Sequence, residues 1–443
     1  MPSEPEADKA TKFTPKSTPM IRQYLAIKEA YPDAILFYRM GDFYEMFFED
    51  AETASRILEI TLTSRNKNEE TPVPMCGVPY RAVQGYIARL IENGRKVAIC
   101  DQVEDPTQAK GLVRREVVRV ITPGMIIENE FLDAKTNNFV LSLARNGKEM
   151  GMAYLDISTG TFRISETRDP NRVIDEALRV APSEVLLPES FQEDPSLSRI
   201  PSMLSKPAVS YLEDRHFEFR TGYERLTEQF QTLSLEGFGC EHLQAGVGAA
   251  GALLHYVGEI QKQGIHHFSG IETYLLDAYL AVDDLSCRNL ELLENLRTGK
   301  RQGTLVDILD QTVTAMGGRR LKHWLRYPLL NVQTIESRLD AVAEAKAHRT
   351  LTREIREKLK TVYDLERLGT RIGMGHANGR DLTSLKRSLM ALPEILAAVE
   401  EFKSPLFRWE ADTEPIQELA DRIDRAIRED APPTIHEIGR AHV

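Results

Sequence analysis

Strand periodicity stops near residue 283 of this chain and does not return. Upstream, short β-prone runs alternate with amphipathic stretches; downstream, apolar residues recur at helical spacing alone. Ile335, Leu339 and Val342 share one helical face, with Ala345 at its edge. The same spacing recurs in Ile355, Leu359, Val362 and Leu365, in Leu382, Leu385, Leu389 and Leu392, and in Ile416, Leu419, Ile423 and Ile427. A chain patterned this way does not bury one common core. It predicts a multidomain α/β plus all-α protein whose last part is a helical bundle. No repeat of 20–50 residues is present, which sets solenoids aside.

Within the α/β part, residues 1–17 are rich in Pro, Ser, Glu and Lys and read as a disordered arm. Thr18 is an N-cap and Pro19 sits at the first helical position; Tyr31-Pro32-Asp33 closes that helix. Residues 34–40 (AILFYRM) read as a strand broken by Gly41-Asp42. A helix over 44–58, a strand over 60–63, a helix over 81–93 capped by Gly94, and a strand over 97–100 complete the first unit. Residues 139–143, 152–157 and 161–165 then form an antiparallel meander. A helix over 172–179, a strand over 184–187 and further helices follow, among them one over 241–263. That order is the one found in ribonuclease H-like folds.

Several classes of chemistry find no support. No apolar run approaches the roughly 18 residues of a membrane span, and the polar N-terminus is no secretory signal. Cys76, Cys100, Cys240 and Cys287 are too scattered for a zinc ribbon or disulfide framework, which fits a reducing, cytoplasmic setting. There is no G-x-S-x-G and no H-E-x-x-H. Thr298-Gly299-Lys300 imitates a phosphate loop, but Glu294 and Arg301 occupy the positions that need Gly and a hydroxyl. Asp156 alone suits a nuclease metal site, and a turn-capping or solvated role is the preferred reading. The net charge of −11 argues against non-specific coating of nucleic acid and leaves room for a local footprint. Residues 105–120 carry Lys110, Arg114, Arg115 and Arg119 against Asp105 and Glu116, a net of +2 that on a turn or strand is usually just solvated. Arg319, Arg320, Lys322 and Arg326 interleave with Leu321, Trp324 and Leu325 and read as an amphipathic core helix.

The densest signal is Tyr38-Arg39-Met40-Gly41-Asp42-Phe43-Tyr44-Glu45-Met46-Phe47-Phe48. Read as a helix, it pairs Phe43 with Phe47 and Tyr44 with Phe48 at i, i+4, and core packing is the commoner fate of such aromatics. The other reading keeps Phe43 exposed, with Glu45 two residues on and pointing the same way. An exposed phenyl beside a carboxylate could serve as a wedge and a base-edge reader in a DNA minor groove.

FYRMGDFYEMFFEDA, TPVPMCGVPYRAVQGYIARLIENGRKVAICDQVEDP and KGLVRREVVRVITPG together resemble the mismatch-recognition domain of the bacterial MutS family. AYLDISTGTF resembles the family's connector domain, and NLELLENLRTGKRQGTLVDILDQTVTAMGGRRLKHWLRYPL the start of its helical core, or lever. The resemblance implies a mixed α/β mismatch-recognition domain over 18–128, a ribonuclease H-like connector over 129–272 and a truncated helical core/lever bundle over 273–437. It implies that Phe43 stacks beside a mispaired base, that Glu45 hydrogen-bonds it, and that Arg65, Arg115 and Lys110 contact the DNA backbone. Mismatched double-stranded DNA is the implied partner, without a membrane, in a cytoplasmic and nucleoid-associated protein. ATP and Mg²⁺, a MutS homodimer and MutL belong to the full-length family. The clamp and ATPase segments are not among these residues, so the chain is expected neither to bind nor to hydrolyse ATP. The alternatives are a paralogue acting in recombination and an isolated DNA-binding module. Residues 438–443 (IGRAHV) read as a translated sequencing adapter, a non-native tail.

Overall fold

A hairpin that closes on Gly41-Asp42 organises the first sheet. Its strands are β1 (Ala34–Met40) and β2 (Phe43–Phe47), paired Tyr38 to Glu45, Arg39 to Tyr44 and Met40 to Phe43. Gly41 has φ +58°, the left-handed conformation that a two-residue hairpin turn demands. The computed structural model describes residues 18–65, 72–104, 113–194, 197–204, 207–261, 265, 267–409 and 413–431. The arm at 1–17, Lys110 and the tail at 438–443 lie outside these described residues. Two compact units divide at Ile121 and Thr122.

The first unit contains α1 (Pro19–Ala30), the hairpin, α2 (Phe48–Leu58), β3 (Thr63–Arg65), β4 (Val73–Pro79), α3 (Val83–Glu92), β5 (Lys96–Gln102) and β6 (Arg115–Ile121). Thr18 caps α1, its side chain accepting from the Ile21 amide. The six strands run in the order β3-β4-β2-β1-β5-β6, with β1 and β5 parallel and the other pairs antiparallel. Helix α1 covers part of one face, where Tyr24 packs with Leu36, Tyr38 and Phe47.

Two expectations are corrected here. Residues 44–47 are strand, and the helix begins only at Phe48. The aromatics that recur at i, i+4 also obey a period of two. Pairing with β1 over 43–45 and with β4 over 43–47 gives the backbone of β2 its partners, and the Phe47 amide donates to the Tyr24 hydroxyl. The next strand is Thr63–Arg65 rather than 60–63, and Leu62 stands exposed before it.

The second unit opens with β7 (Val140–Asn146), β8 (Glu149–Asp156) and β9 (Thr161–Thr167), an antiparallel meander. It continues through α4 (Pro170–Val180), β10 (Glu184–Pro188), α5 (Ile200–Met203), β11 (Ala208–Leu212), α6 (Phe219–Phe230), α7 (Gln244–Gln261) and β12 (Glu272–Thr273). The sheet order is β11-β10-β7-β8-β9-β12, with β10 parallel to β7 and β11 parallel to β10. Helix α7 is buried along most of its length by Ala, Gly, Val and Leu and packs on α6, β7 and β8. Strand β11 carries no clear sequence signal because one inward position is polar. Ser210 is buried and donates to Glu184 Oε1 at 2.8 Å.

Beyond β12 the described residues form helices: α8 (Asp284–Asn289), α9 (Leu305–Leu309), α10 (Ala315–Arg326), α11 (Val332–Ala347), α12 (Arg349–Leu359), α13 (Leu365–Gly373), α14 (Gly379–Val399) and α15 (Glu414–Ala426). Helices α12, α13 and α15 pack on α14, and Ile355, Ala398 and Phe402 form a small core. The anticipated inward face of α11 is corrected. Leu339 and Val342 are each 61% exposed, and Ala341 is the buried residue. In α10 the buried side chain is Arg319 rather than Trp324. Its guanidinium is held by Asp364 and Glu366 and donates to the Ala134 carbonyl at 2.8 Å. Arg367 donates to the carbonyls of Asp133 and Thr136, so two buried arginines grip the segment that leads into β7.

Candidate functional site

Alternation along β2 decides which side chains meet. Tyr44 and Met46 turn to one face and are buried; Phe43, Glu45 and Phe47 turn to the other. Phe47 lies under α1, its ring 5.0 Å from that of Tyr24. At the opposite end of β2, Phe43 is 46% exposed, and Glu45 beside it is half-buried. Gly77 on β4 pairs with Glu45. A Cβ at position 77 would lie 3.7 Å from Glu45 Cγ and 3.8 Å from Phe43 Cδ1. Both side chains therefore extend over a strip of bare backbone.

Arg65, at the end of β3, reaches the same face and places Nη1 3.3 Å from Glu45 Oε2. Burial raises the Glu45 carboxyl above its usual value, and the Arg65 charge opposes that rise. The carboxylate is thus poised between a hydrogen-bond acceptor and, once protonated, a donor. Behind the sheet, Tyr44 donates to Asp101 at 2.9 Å, and the Arg39 guanidinium stacks 3.4 Å over the Tyr80 ring. These contacts fix the backbone from which Phe43 projects.

Arg115 sits differently from its anticipated place on the DNA backbone. It is 7% exposed, donates to the carbonyls of Arg39 and Val113 at 2.8 and 2.9 Å, and lies 4.9 Å from the Tyr38 ring centroid. Its donors are spent inside the fold, where they join β6 to the end of β1. Asp156 is fully buried and accepts from Asn137 Nδ2, the Asn138 amide, and both the amide and hydroxyl of Ser158. That is a turn cap with its acceptor capacity filled. Among the described residues no group of three His, Cys, Asp or Glu side chains is placed to hold a metal ion.

Three family models match the chain in succession: MutS domain I over residues 18–130, MutS domain II over 138–271 and MutS domain III over 286–442. The chain belongs to the MutS family. The DNA mismatch repair protein MutS of Desulfosudis oleivorans is 54% identical over 428 residues, which cover 96% of this chain and 49% of that protein. The MutS proteins of Desulfatibacillum aliphaticivorans and Symbiobacterium thermophilum are 53% and 45% identical, each over 96% of this chain and 48% and 49% of their own length. The chain spans about half the length of the curated relatives it matches. Phe43, Glu45 and Arg65 all lie in the segment matched by MutS domain I. So does Gly77, which the sequence reading passed over. Its signal was a glycine inside a strand-like run, VPMCGVP, where a close approach to neighbouring side chains is the usual cause. No helix among the described residues is long and apolar enough to cross a membrane.

Proposed function

We propose that this chain reads mispaired bases in duplex DNA, with Phe43 as a minor-groove wedge and Glu45 as its hydrogen-bonding partner. The observation that carries the reading is the pairing of an exposed phenyl with a half-buried carboxylate on one open sheet face. A wedge must unstack a base step, and a mispaired step costs less to unstack than a Watson–Crick step. Base-pair stability is thereby sampled without reading sequence. The phenyl recovers energy by stacking, about 1–3 kcal/mol per base in comparable aromatic contacts. Arg65 supplies a cation at the edge of the same face; DNA phosphate can compete for it with Glu45.

The domain limits fitting this reading are 18–128 for mismatch recognition, 129–272 for a connector and 273–437 for a helical lever. The strand order of the second sheet supports a ribonuclease H-like connector, used as a spacer because the strand-borne acid Asp156 is consumed as a turn cap. ATP hydrolysis with Mg²⁺, homodimerisation and association with MutL are assigned to the full-length protein and not to these residues. A cytoplasmic, nucleoid-associated setting fits a DNA-scanning role. A gel shift with the 443-residue chain tests the reading. Binding of a G·T heteroduplex ahead of both plain duplex and a Holliday junction is expected, and junction preference contradicts it.

A further inference from the structure

A cavity of about 150 Å³ in the second unit lies between α10, the end of α4 and strands β8 and β9. Seven of its lining residues are Lys or Arg, against one carboxylate, Glu366. Part of this charge is neutralised from behind. Lys135 pairs with Asp310 at 3.1 Å, Arg163 with Glu272 at 2.8 Å, and Arg319 with Asp364 and Glu366 at 2.7 and 2.6 Å. Arg320, Lys322 and Arg326 form no ion pair with a carboxylate among the described residues. Among the described residues Lys322 donates only to the Thr136 hydroxyl, and Glu294 is the acid whose field reaches Arg326.

A second observation points into the same space. The side chain of Arg179, on the facing end of α4, is 7% exposed. Its Nη1 touches Glu176 at 3.4 Å and its Nη2 donates to the Val282 carbonyl at 3.4 Å, while its Nε is buried with no hydrogen-bond partner. The local field is strongly positive. His323 on the same wall is pushed down to about 4 by burial and by Arg163, Arg320, Arg338 and Arg326. Lys322 is lowered by burial, with Asp133 and Asp310 opposing the shift and Arg301 and Arg326 adding to it. Cations gathered in a partly buried space are costly unless an anion completes them.

We propose that this cavity seats a small phosphoryl anion, inorganic phosphate or pyrophosphate, held by Arg320, Lys322 and Arg326 on α10 and by Arg179 on α4. The donors approach from two facing walls, which suits a tetrahedral, multiply charged oxyanion better than a planar carboxylate. The space takes phosphoryl groups and is too small to enclose a nucleoside with them. An anion there links α10 to α4 and so ties the helical part of the second unit to its sheet.

Isothermal titration of the 443-residue chain with pyrophosphate and with phosphate, at low ionic strength, tests this. Saturable one-to-one binding and a raised Tm are expected. Lys322→Gln and Arg326→Gln each weaken pyrophosphate binding by about tenfold or more. Arg320→Gln, at an exposed rim position that leaves folding intact, weakens it by a smaller factor. Circular dichroism of each variant separates lost binding from lost fold. Absence of saturable heat, or unchanged affinity in folded Lys322→Gln and Arg320→Gln chains, overturns the proposal. Tighter binding of ATP than of pyrophosphate overturns it in favour of a nucleotide site. Displacement of pyrophosphate by duplex DNA overturns it in favour of a DNA-phosphate contact.

Discussion

Arg65 and Glu45 sit on strands separated by β4 and still meet, Nη1 to Oε2, at 3.3 Å. On the intervening strand Arg65 pairs with Val73 and Glu45 with Gly77, so the arginine side chain runs along β4 to reach the carboxylate. Even so, the Glu45 carboxyl stays raised, since burial outweighs the arginine. The charged form of Glu45 is held at a cost in the free protein.

That cost has a pH signature. The folded pKa lies above the unfolded one, so the folded state binds the Glu45 proton more tightly. Stability therefore falls as pH rises from the ordinary carboxylate value through the folded value. Glu45→Gln, which mimics the protonated form, is expected to be more stable than the parent at neutral pH. The two should converge below the ordinary carboxylate value. Urea unfolding at a series of pH values measures this, and a Glu45→Gln chain less stable at neutral pH speaks against it. On DNA, a carboxylate facing phosphates is repelled, so Glu45→Ala should bind homoduplex more tightly. Equal weakening on homoduplex and heteroduplex would reduce Glu45 to a structural role.

Gly77 gives an independent handle on the same surface. A Cβ there stands 3.3 Å from the Tyr44 carbonyl oxygen, and the branches of valine must push Phe43 or Glu45 aside. An off-rotamer displacement costs about 0.5–1.5 kcal/mol, roughly two- to tenfold in binding. Gly77→Val is expected to lose that much heteroduplex affinity while its circular dichroism stays native. Unchanged heteroduplex affinity would show that the strip between β2 and β3 is not the contact surface.

Asp156 caps the turn that follows β8. Its four donors are left without an acceptor in Asp156→Ala, a loss on the order of 3 kcal/mol in unfolding free energy. Urea denaturation reads the loss directly. A change under about 1 kcal/mol, the typical net worth of one hydrogen bond, would mean the carboxylate is not the cap it looks to be.

Much of the α/β order was legible in the sequence because its signals are local. Thr18-Pro19 opens a helix, residues 34–40 form a strand, and the three strands of the meander fall within a few residues of their anticipated places. The hairpin at Gly41-Asp42 was misread because aromatics four apart fit a helix as well as two strand faces. The decisive cue was the two-residue turn, whose partner strand lies immediately before it. The burial of Arg115 was not legible locally. A basic side chain in a charged run gives no local sign that Tyr38 and two carbonyls await it. The same holds for α10, where Arg319 is buried because Asp364 and Glu366 arrive from a helix more than 40 residues downstream. Phe43 and Glu45 were legible as a pair, and the strand geometry explains why they point the same way.

The role of Phe43 is tested most directly by fluorescence anisotropy of the 443-residue chain at low salt. A G·T heteroduplex is compared with its matched homoduplex for the parent chain and for Phe43→Ala. The parent should prefer the heteroduplex. Phe43→Ala should bind both duplexes alike, at the weak, salt-sensitive level left by backbone contacts. A Phe43→Ala chain that keeps the parent's heteroduplex preference would contradict the wedge.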